Sequence, residues 1–278
     1  MLPNLIIIGA PKAGTTSLHR YLDLHPDIFM TGRKELRYFW RDDWREQRAW
    51  YEAQFQSDAP FRGEATPAYA AYPHRPHVPE RMHELVPDVK LIYMVRDPIE
   101  RMLSHWVQRR ADGDLTTFER YMAEYDRPDN PIICPSRYWL QIERYLEFFA
   151  PGQLLVVDQR ELRVNRPETM RSIFRFIGVD DNFESPEFAL ERNTRGDKYG
   201  PRRVTAVLWD KVLWPASRSV PSGLRDVVRE PANKLLFRQI TEFPRLTPSA
   251  RSRLVQMLTP EMQALRQFSG QAFDSWSV

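Results

Sequence analysis

Three uninterrupted apolar runs alternate with longer stretches in which apolar residues recur at helical spacing. Leu5 to Ile8, Leu91 to Val95 and Leu154 to Val157 contain no charged residue, the pattern of strands buried on both faces of a parallel sheet. Behind the first run, Leu18, Tyr21 and Leu22 fall on one face of a helix predicted over Thr15 to Leu24. Behind the second, Met102, Leu103 and Trp106 do the same from Ile99 to about Arg110, with Pro98 suited to the first helical position. Behind the third, Asn165 reads as a cap, Pro167 as an early-turn residue and Gly178 as the stop of a helix carrying Ile173, Phe174 and Ile177. Phe61 to Tyr69 reads as a fourth strand running into a loop, with the ladder ended at Pro67.

The remaining stretches are less regular. His25 to Phe29 is a turn into a short extended piece, and residues 41–56 are expected to form one surface helix with Trp44, Trp50, Tyr51 and Phe55 on its inner side. The proline-rich Tyr72–Pro87 stretch predicts a loop and a short helix, and Asp112–Pro135 a long connection. Ser136–Phe149 is amphipathic and ends at Pro151-Gly152; residues 204–240 read as mainly helical. Thr247-Pro248 and Thr259-Pro260 each open a helix, the first to Leu258 and the second to Phe268. Strand and helix alternate without a repeat or a low-complexity linker. The expected class is therefore α/β: a single domain, 1–278, with a P-loop-like, mostly parallel sheet flanked by helices.

Composition narrows the setting. A chain of 278 residues with 42% hydrophobic and 28% charged content can bury a substantial core. Its one cysteine, Cys134, allows no internal disulfide, which suits a reducing compartment. No apolar run approaches the roughly 18 residues of a membrane span, and Leu5 already belongs to the core, so no leader is expected before it. These features predict a cytoplasmic location. A net charge of +3 favours anionic ligands and is too weak for a nucleic-acid binder.

The candidate chemistry lies where strands end. Gly9-Ala10-Pro11-Lys12-Ala13-Gly14-Thr15-Thr16-Ser17 joins the first strand to the first helix, the context in which a glycine loop cradles a phosphate. It departs from the nucleotide-triphosphatase pattern, because Thr15 stands where that pattern has lysine and the cation sits earlier, at Lys12. The second strand ends at Arg96 rather than at an acid. A Mg²⁺-nucleotide site wants a carboxylate there, so the pair of departures points to a phosphate ligand held without an obligatory metal. Arg96 is placed for a second phosphate, with a salt bridge to an aspartate as its alternative. Glu64 sits near a strand's carboxyl end, where open α/β sheets bind ligands; an ordinary ion pair with a surface base is its alternative. His74, His77 and His83 fall into no metal-binding spacing.

Together these segments resemble the sulfotransferases that use 3′-phosphoadenosine 5′-phosphosulfate (PAPS). Pro11-Lys12-Ala13-Gly14-Thr15-Thr16 resembles that family's 5′-phosphosulfate loop, and Val95 to Ser104 its 3′-phosphate motif, including the Arg96-to-Ser104 spacing. Gly63 to Tyr69 and Tyr145 to Val179 resemble the heparan sulfate N- and 3-O-sulfotransferase branch. The lone cysteine removes the disulfide of the Golgi members and implies a bacterial-type soluble enzyme. The resemblance covers roughly residues 3–200. It implies a sheet core over about 3–180, followed by a cofactor-covering loop and C-terminal helices over about 181–278.

What the resemblance implies for mechanism is sulfuryl transfer from PAPS to a hydroxyl or amine of a glycan, lipid or small metabolite, leaving adenosine 3′,5′-bisphosphate. Lys12 would stabilise the leaving phosphate with the loop residues Pro11, Ala13, Gly14, Thr15, Thr16 and Ser17. Arg96 and Ser104 would hold the 3′-phosphate, with Arg202 and Arg203 of the basic Asn193–Arg203 stretch added to the clamp. Glu64 would be the general base, with His74 or His77 next in line. Lys34, just before Tyr38-Phe39, and Tyr138 are the acceptor-side candidates. Two rivals stay open from the residues alone: a P-loop kinase or other NTP-dependent enzyme, and a catalytically silent nucleotide-binding protein.

Overall fold

The computed structural model describes residues 1–189, the backbone of 199–201 and 237–239, and residues 244–278. Five strands form one parallel sheet: β1 (Leu5–Gly9), β2 (Ile28–Met30), β3 (Phe61–Ala65), β4 (Lys90–Val95) and β5 (Leu154–Asp158), in the spatial order β2-β3-β1-β4-β5. β1 is central and buried along its whole length, as its unbroken apolar run requires. It pairs with β3 through Leu5–Gly63, Ile6–Glu64 and Ile7–Ala65, and with β4 through Leu5–Lys90, Ile6–Leu91 and Ile7–Ile92. The chain therefore leaves β1 toward one edge and later crosses to the other. The carboxyl ends of β3, β1 and β4 meet at this reversal, the place where open α/β sheets hold ligands.

Helices cover both faces. They are α1 (Thr15–Leu22), α2 (Arg48–Glu52), α3 (Val78–Leu85), α4 (Pro98–Ala111), α5 (Phe118–Ala123), α6 (Tyr138–Leu146), α7 (Gln159–Val164), α8 (Arg166–Ile177) and α9 (Pro248–Ser269). Leu18 and Leu22 of α1, Met82 of α3, Ile142 and Tyr145 of α6, and Ile173, Phe174 and Ile177 of α8 pack on the sheet. α8 ends as expected, with Gly178 in the left-handed region at φ 90°. The backbones of Tyr199–Pro201 and Phe237–Gln239 pair antiparallel in a separate two-stranded ribbon. The helical expectation for residues 204–240 otherwise lies outside the described residues. Among the described residues no helix is long and apolar enough to cross a membrane.

The structure corrects the helix boundaries where tertiary contacts outweigh local pattern. Residues 41–56 do not form one helix: α2 is short and passes into a 3-10 turn at Ala53–Phe55. The Phe39 and Arg41 carbonyls upstream of it accept from Arg81 of α3 instead, while Trp44, Tyr51 and Phe55 are buried as expected. The Asp112–Pro135 connection contains α5, capped by the Thr117 hydroxyl. Phe118 and Met122 of α5 join Met102, Ile132, Ile133, Leu254 and Leu258 in a second apolar cluster. α7 was not legible, and the Asn165 side chain caps nothing. The two expected C-terminal helices are one. Leu254, Leu258, Met262 and Leu265 lie on one buried stripe that runs through Pro260, and packing of that stripe holds the helix together across the missing N–H.

Candidate active site

The loop after β1 is shaped by two left-handed residues, Lys12 at φ 73° and Gly14 at φ 86°. Glycine at position 9 is needed for another reason: a Cβ there would meet the Tyr93 ring at 2.6 Å and the Ala70 methyl at 2.9 Å. Ala10 N–H donates to the Met94 carbonyl on β4 at 2.6 Å, and Ala13 N–H returns to Ala10 at 3.1 Å. Ser17 and Leu18 N–H both donate to the Gly14 carbonyl at the start of α1. Among the described residues, the N–H groups of Lys12, Gly14, Thr15 and Thr16 find no backbone acceptor. Such a cluster at a helix start is a nest for an anion. Ser17 contributes only its hydroxyl, since its N–H is used within the helix.

Two lysines converge on this nest. Lys12 reaches back across the loop and donates to Gln108 of α4 at 3.2 Å. Lys34, from the segment after β2, donates to the Thr16 hydroxyl at 2.8 Å and the Thr15 hydroxyl at 3.4 Å. Burial pulls the Lys34 ammonium below the ordinary lysine value, and the charges of Lys12 and Arg20 lower it further against the opposing pull of Glu35. Two cations drawn together over unpaired N–H groups form a site for a strongly negative group.

The second phosphate candidate lies beside it. Asp97 caps α4 by accepting from Glu100 N–H at 2.8 Å, with Pro98 at the first position. Arg96, at the end of β4, pairs with the Glu100 carboxylate rather than with an aspartate. The Arg96 carbonyl accepts from the buried Tyr138 hydroxyl at 2.7 Å. Glu100, Ser104 and Gln108 follow one another at four-residue spacing, so the face of α4 that begins at the Arg96 partner ends at the Lys12 partner. Ser104 lies between the two cations, half-buried.

Glu64 is placed differently from its expected use. Its carboxylate has no exposed surface. It accepts from Tyr51 at 2.7 Å, Tyr69 at 2.9 Å and Thr66 at 2.7 Å, and from the Leu36 N–H. Burial raises its pKa from the usual carboxylate range, and these bonds oppose the rise. The same groups hold the segment that follows Lys34. Glu35 N–H donates to the Ala65 carbonyl, Arg37 N–H to the Thr66 hydroxyl and Tyr38 N–H to the Tyr69 hydroxyl. Tyr38 in turn stacks on Tyr51 at 3.9 Å. Glu64 is therefore the buried hub of a turn in which Glu35 (φ 62°) and Arg37 (φ 59°) are held in the left-handed region, a conformation that needs such support. The carboxylate this turn presents is that of Glu35, 38% exposed and 3.9 Å from Lys34. The Glu35 carboxylate is thus partly exposed, and that of Glu64 is enclosed.

A sulfotransferase domain model matches residues 2–193. The chain belongs to the sulfotransferase domain family. Among curated proteins it is 30% identical over 200 residues to human bifunctional heparan sulfate N-deacetylase/N-sulfotransferase 2, covering 64% of this chain and 22% of that protein. It is 26% identical over 216 residues to the Caenorhabditis elegans bifunctional heparan sulfate N-deacetylase/N-sulfotransferase 1, covering 73% of this chain and 24% of that one. The chain thus spans less than a quarter of the length of these relatives. A solved sulfotransferase from Alicyclobacillus acidocaldarius matches the fold over 100% of both chains, with TM-score 0.68 and 21% identity. Mouse sulfotransferase SULT7A1, solved in complex with PAP, covers 97% of this chain and 89% of its own, with TM-score 0.51 and 14% identity.

The matched span of this sulfotransferase contains the loop, Lys34, Glu35, Glu64, Arg96 and Ser104. Arg202 and Arg203 lie beyond it and outside the described residues. Tyr138 is buried against Tyr93 and Trp276, with its hydroxyl on the Arg96 carbonyl. His74 and His77 are exposed. Among the described residues no cluster of His, Cys, Asp and Glu could hold a metal ion. Sequence reasoning did not single out Glu35, and Lys34, expected on the acceptor side, donates to the loop hydroxyls of Thr15 and Thr16. The available signal was the Lys34-Glu35 pair lying just ahead of the apolar Tyr38-Phe39; the left-handed turn that directs it had none.

Proposed function

We propose that this sulfotransferase moves the sulfuryl group of PAPS to a hydroxyl or amine of a carbohydrate acceptor, with adenosine 3′,5′-bisphosphate as the second product. The observation that carries this reading is Lys34 over the Thr15 and Thr16 hydroxyls, with Lys12 of the same loop close enough to act on its charge. In the transfer, a bond forms between the acceptor oxygen or nitrogen and sulfur as the bond from sulfur to the bridging phosphate oxygen breaks. Negative charge grows on that oxygen, and fixed donors that already point there lower the barrier without reorganising. Lys12 and Lys34 supply the charge; the loop N–H groups and the two threonine hydroxyls supply the rest.

Arg96 and Ser104 hold the 3′-phosphate, which takes the place of Glu100 at the Arg96 guanidinium. Arg202 and Arg203 remain part of the proposed clamp. The general base is Glu35 rather than Glu64, on the ground of access. It takes the acceptor proton as the acceptor oxygen or nitrogen attacks sulfur, a role that contributes about 10²–10⁴-fold. The carbohydrate assignment rests on the heparan sulfate enzymes among the relatives. It fits the surface next to Glu35, where Trp40 lies between the guanidinium groups of Arg37 and Arg75 at 5.4 and 4.7 Å. The direct test is transfer of ³⁵S from labelled PAPS to N-desulfated heparan sulfate, to neutral oligosaccharides and to simple phenols. Label in the polysaccharide supports the reading. Label only in phenols would move the acceptor class, and label in none would refute it for these acceptors.

A further inference from the structure

Arg101 of α4 is among the largest side chains without exposed surface, and among the described residues it has no carboxylate partner. Its Nε donates to the Ser136 hydroxyl, Nη2 to the Ile132 carbonyl, and Nη1 to the Pro11 carbonyl at 3.3 Å and to His105 Nδ1 at 3.2 Å. The hydroxyl and the two carbonyls are neutral dipoles, and an arginine can only donate to His105 Nδ1. Ser136 passes its own proton to the Pro98 carbonyl at 3.0 Å. A buried charge is normally paired, because desolvation costs several kcal/mol per ion. Here the cation is solvated by dipoles alone, directly beneath the loop that carries Lys12.

The contact with Pro11 has a geometric consequence. In a trans peptide the C=O and N–H point in opposite directions, and the Pro11–Lys12 bond is not among the cis bonds of the described residues. With the Pro11 carbonyl turned toward Arg101, the Lys12 N–H is turned away from it, into the nest. The left-handed Lys12 backbone is held in the same way. The field of an unpaired guanidinium in a poorly polarisable interior also extends to that point with little screening.

We propose that Arg101 is a positioning residue for the 5′-phosphosulfate end of the donor, aiming the Lys12 N–H at the anion and adding an uncompensated positive charge behind it. The donor anion then supplies a counter-charge that the described residues do not. This rests on the PAPS reading, and the test separates the two. Wild type, Arg101→Met and Arg101→Lys are titrated calorimetrically with adenosine 3′,5′-bisphosphate and with adenosine 3′-monophosphate, which lacks the 5′-phosphate. Arg101→Met is expected to weaken the bisphosphate by about tenfold or more, the value of one charge-assisted interaction. Its affinity for the 3′-monophosphate should not change. Its melting temperature without nucleotide is expected to fall, since the Ser136 hydroxyl and the Ile132 and Pro11 carbonyls lose a buried donor, so the contrast between the two nucleotides, and not stability, carries the test.

Equal losses on both nucleotides, or no loss on either, would overturn the inference, because a merely structural arginine has no reason to distinguish them. If Arg101→Met does not fold, Arg101→Lys decides. It keeps the charge but cannot span the Pro11 and Ile132 carbonyls together, so a loss confined to the bisphosphate supports the inference and unchanged affinity overturns it. Wild type that binds neither nucleotide overturns the PAPS reading, and this inference with it.

Discussion

Replacing the two carboxylates in turn separates a buried hub from a base. Glu64→Leu removes the acceptor of three hydroxyls and one N–H that have no route to water. An orphaned buried donor costs about 1–3 kcal/mol. Relaxation of the hydroxyls recovers part of the sum, so a loss of about 3 kcal/mol or more in unfolding free energy is expected. Glu64→Gln keeps one oxygen but turns an NH₂ toward donors, and about 1–3 kcal/mol should be lost. Glu35→Gln touches an exposed side chain and should stay within about 0.5 kcal/mol of wild type, yet turnover should fall by about 10²–10⁴-fold. The assay is urea unfolding, for stability and its denaturant slope, alongside sulfuryl transfer per folded molecule. A Glu64→Gln protein as stable as wild type but inactive would refute the hub assignment. A Glu35→Gln protein with ordinary turnover would refute the base.

Other outcomes follow from the same geometry. The Lys34 pKa is depressed in the free protein, so an anion in the nest should raise it and bisphosphate binding should take up protons on the alkaline side, below the ordinary lysine value. Calorimetry in buffers of different ionisation enthalpy measures this, and Lys34→Met should abolish it. By linkage, the raised pKa of Glu64 makes its protonated form the better fit to the fold. Its contribution to stability should be fully present below the usual carboxylate pKa and decline as pH rises through the raised folded value; Glu64→Gln should remove that slope in a pH series of unfolding curves. Tyr138→Phe loses the bond to the Arg96 carbonyl and should cost about 1 kcal/mol of stability, with weakened affinity for the 3′-phosphate and unchanged affinity for the 5′-phosphate end.

Strands β1, β4 and β5 were readable because they are short apolar runs with a polar junction at the end, and Leu154–Asp158 begins and ends where the pattern does; Phe61–Ala65, which carries Arg62 and Glu64, stops short of Pro67. The phosphate loop was readable for the same reason, since strand, glycines and helix are contiguous. The Glu35 turn was not. It is built by hydrogen bonds from residues about thirty positions away, among them Thr66 and Tyr69, and by left-handed residues that are not glycine. Glu64 looked catalytic because strand-end position is visible in sequence, whereas its burial depends on Tyr51, which arrives from a helix on another part of the chain. The one-helix C-terminus was hidden because Thr259-Pro260 is a sound local start signal that a longer apolar stripe overrides.

The central claim is that the loop and the Arg96 strand end together bind a nucleotide carrying both 5′- and 3′-phosphates. Isothermal titration of wild type and Arg96→Ala with adenosine 3′,5′-bisphosphate, and of wild type with ATP–Mg²⁺, tests it most directly. The account predicts tight, metal-independent binding of the bisphosphate that weakens by about tenfold or more in Arg96→Ala, and weak binding of ATP–Mg²⁺. Preference for ATP–Mg²⁺, or bisphosphate binding indifferent to Arg96, would contradict it.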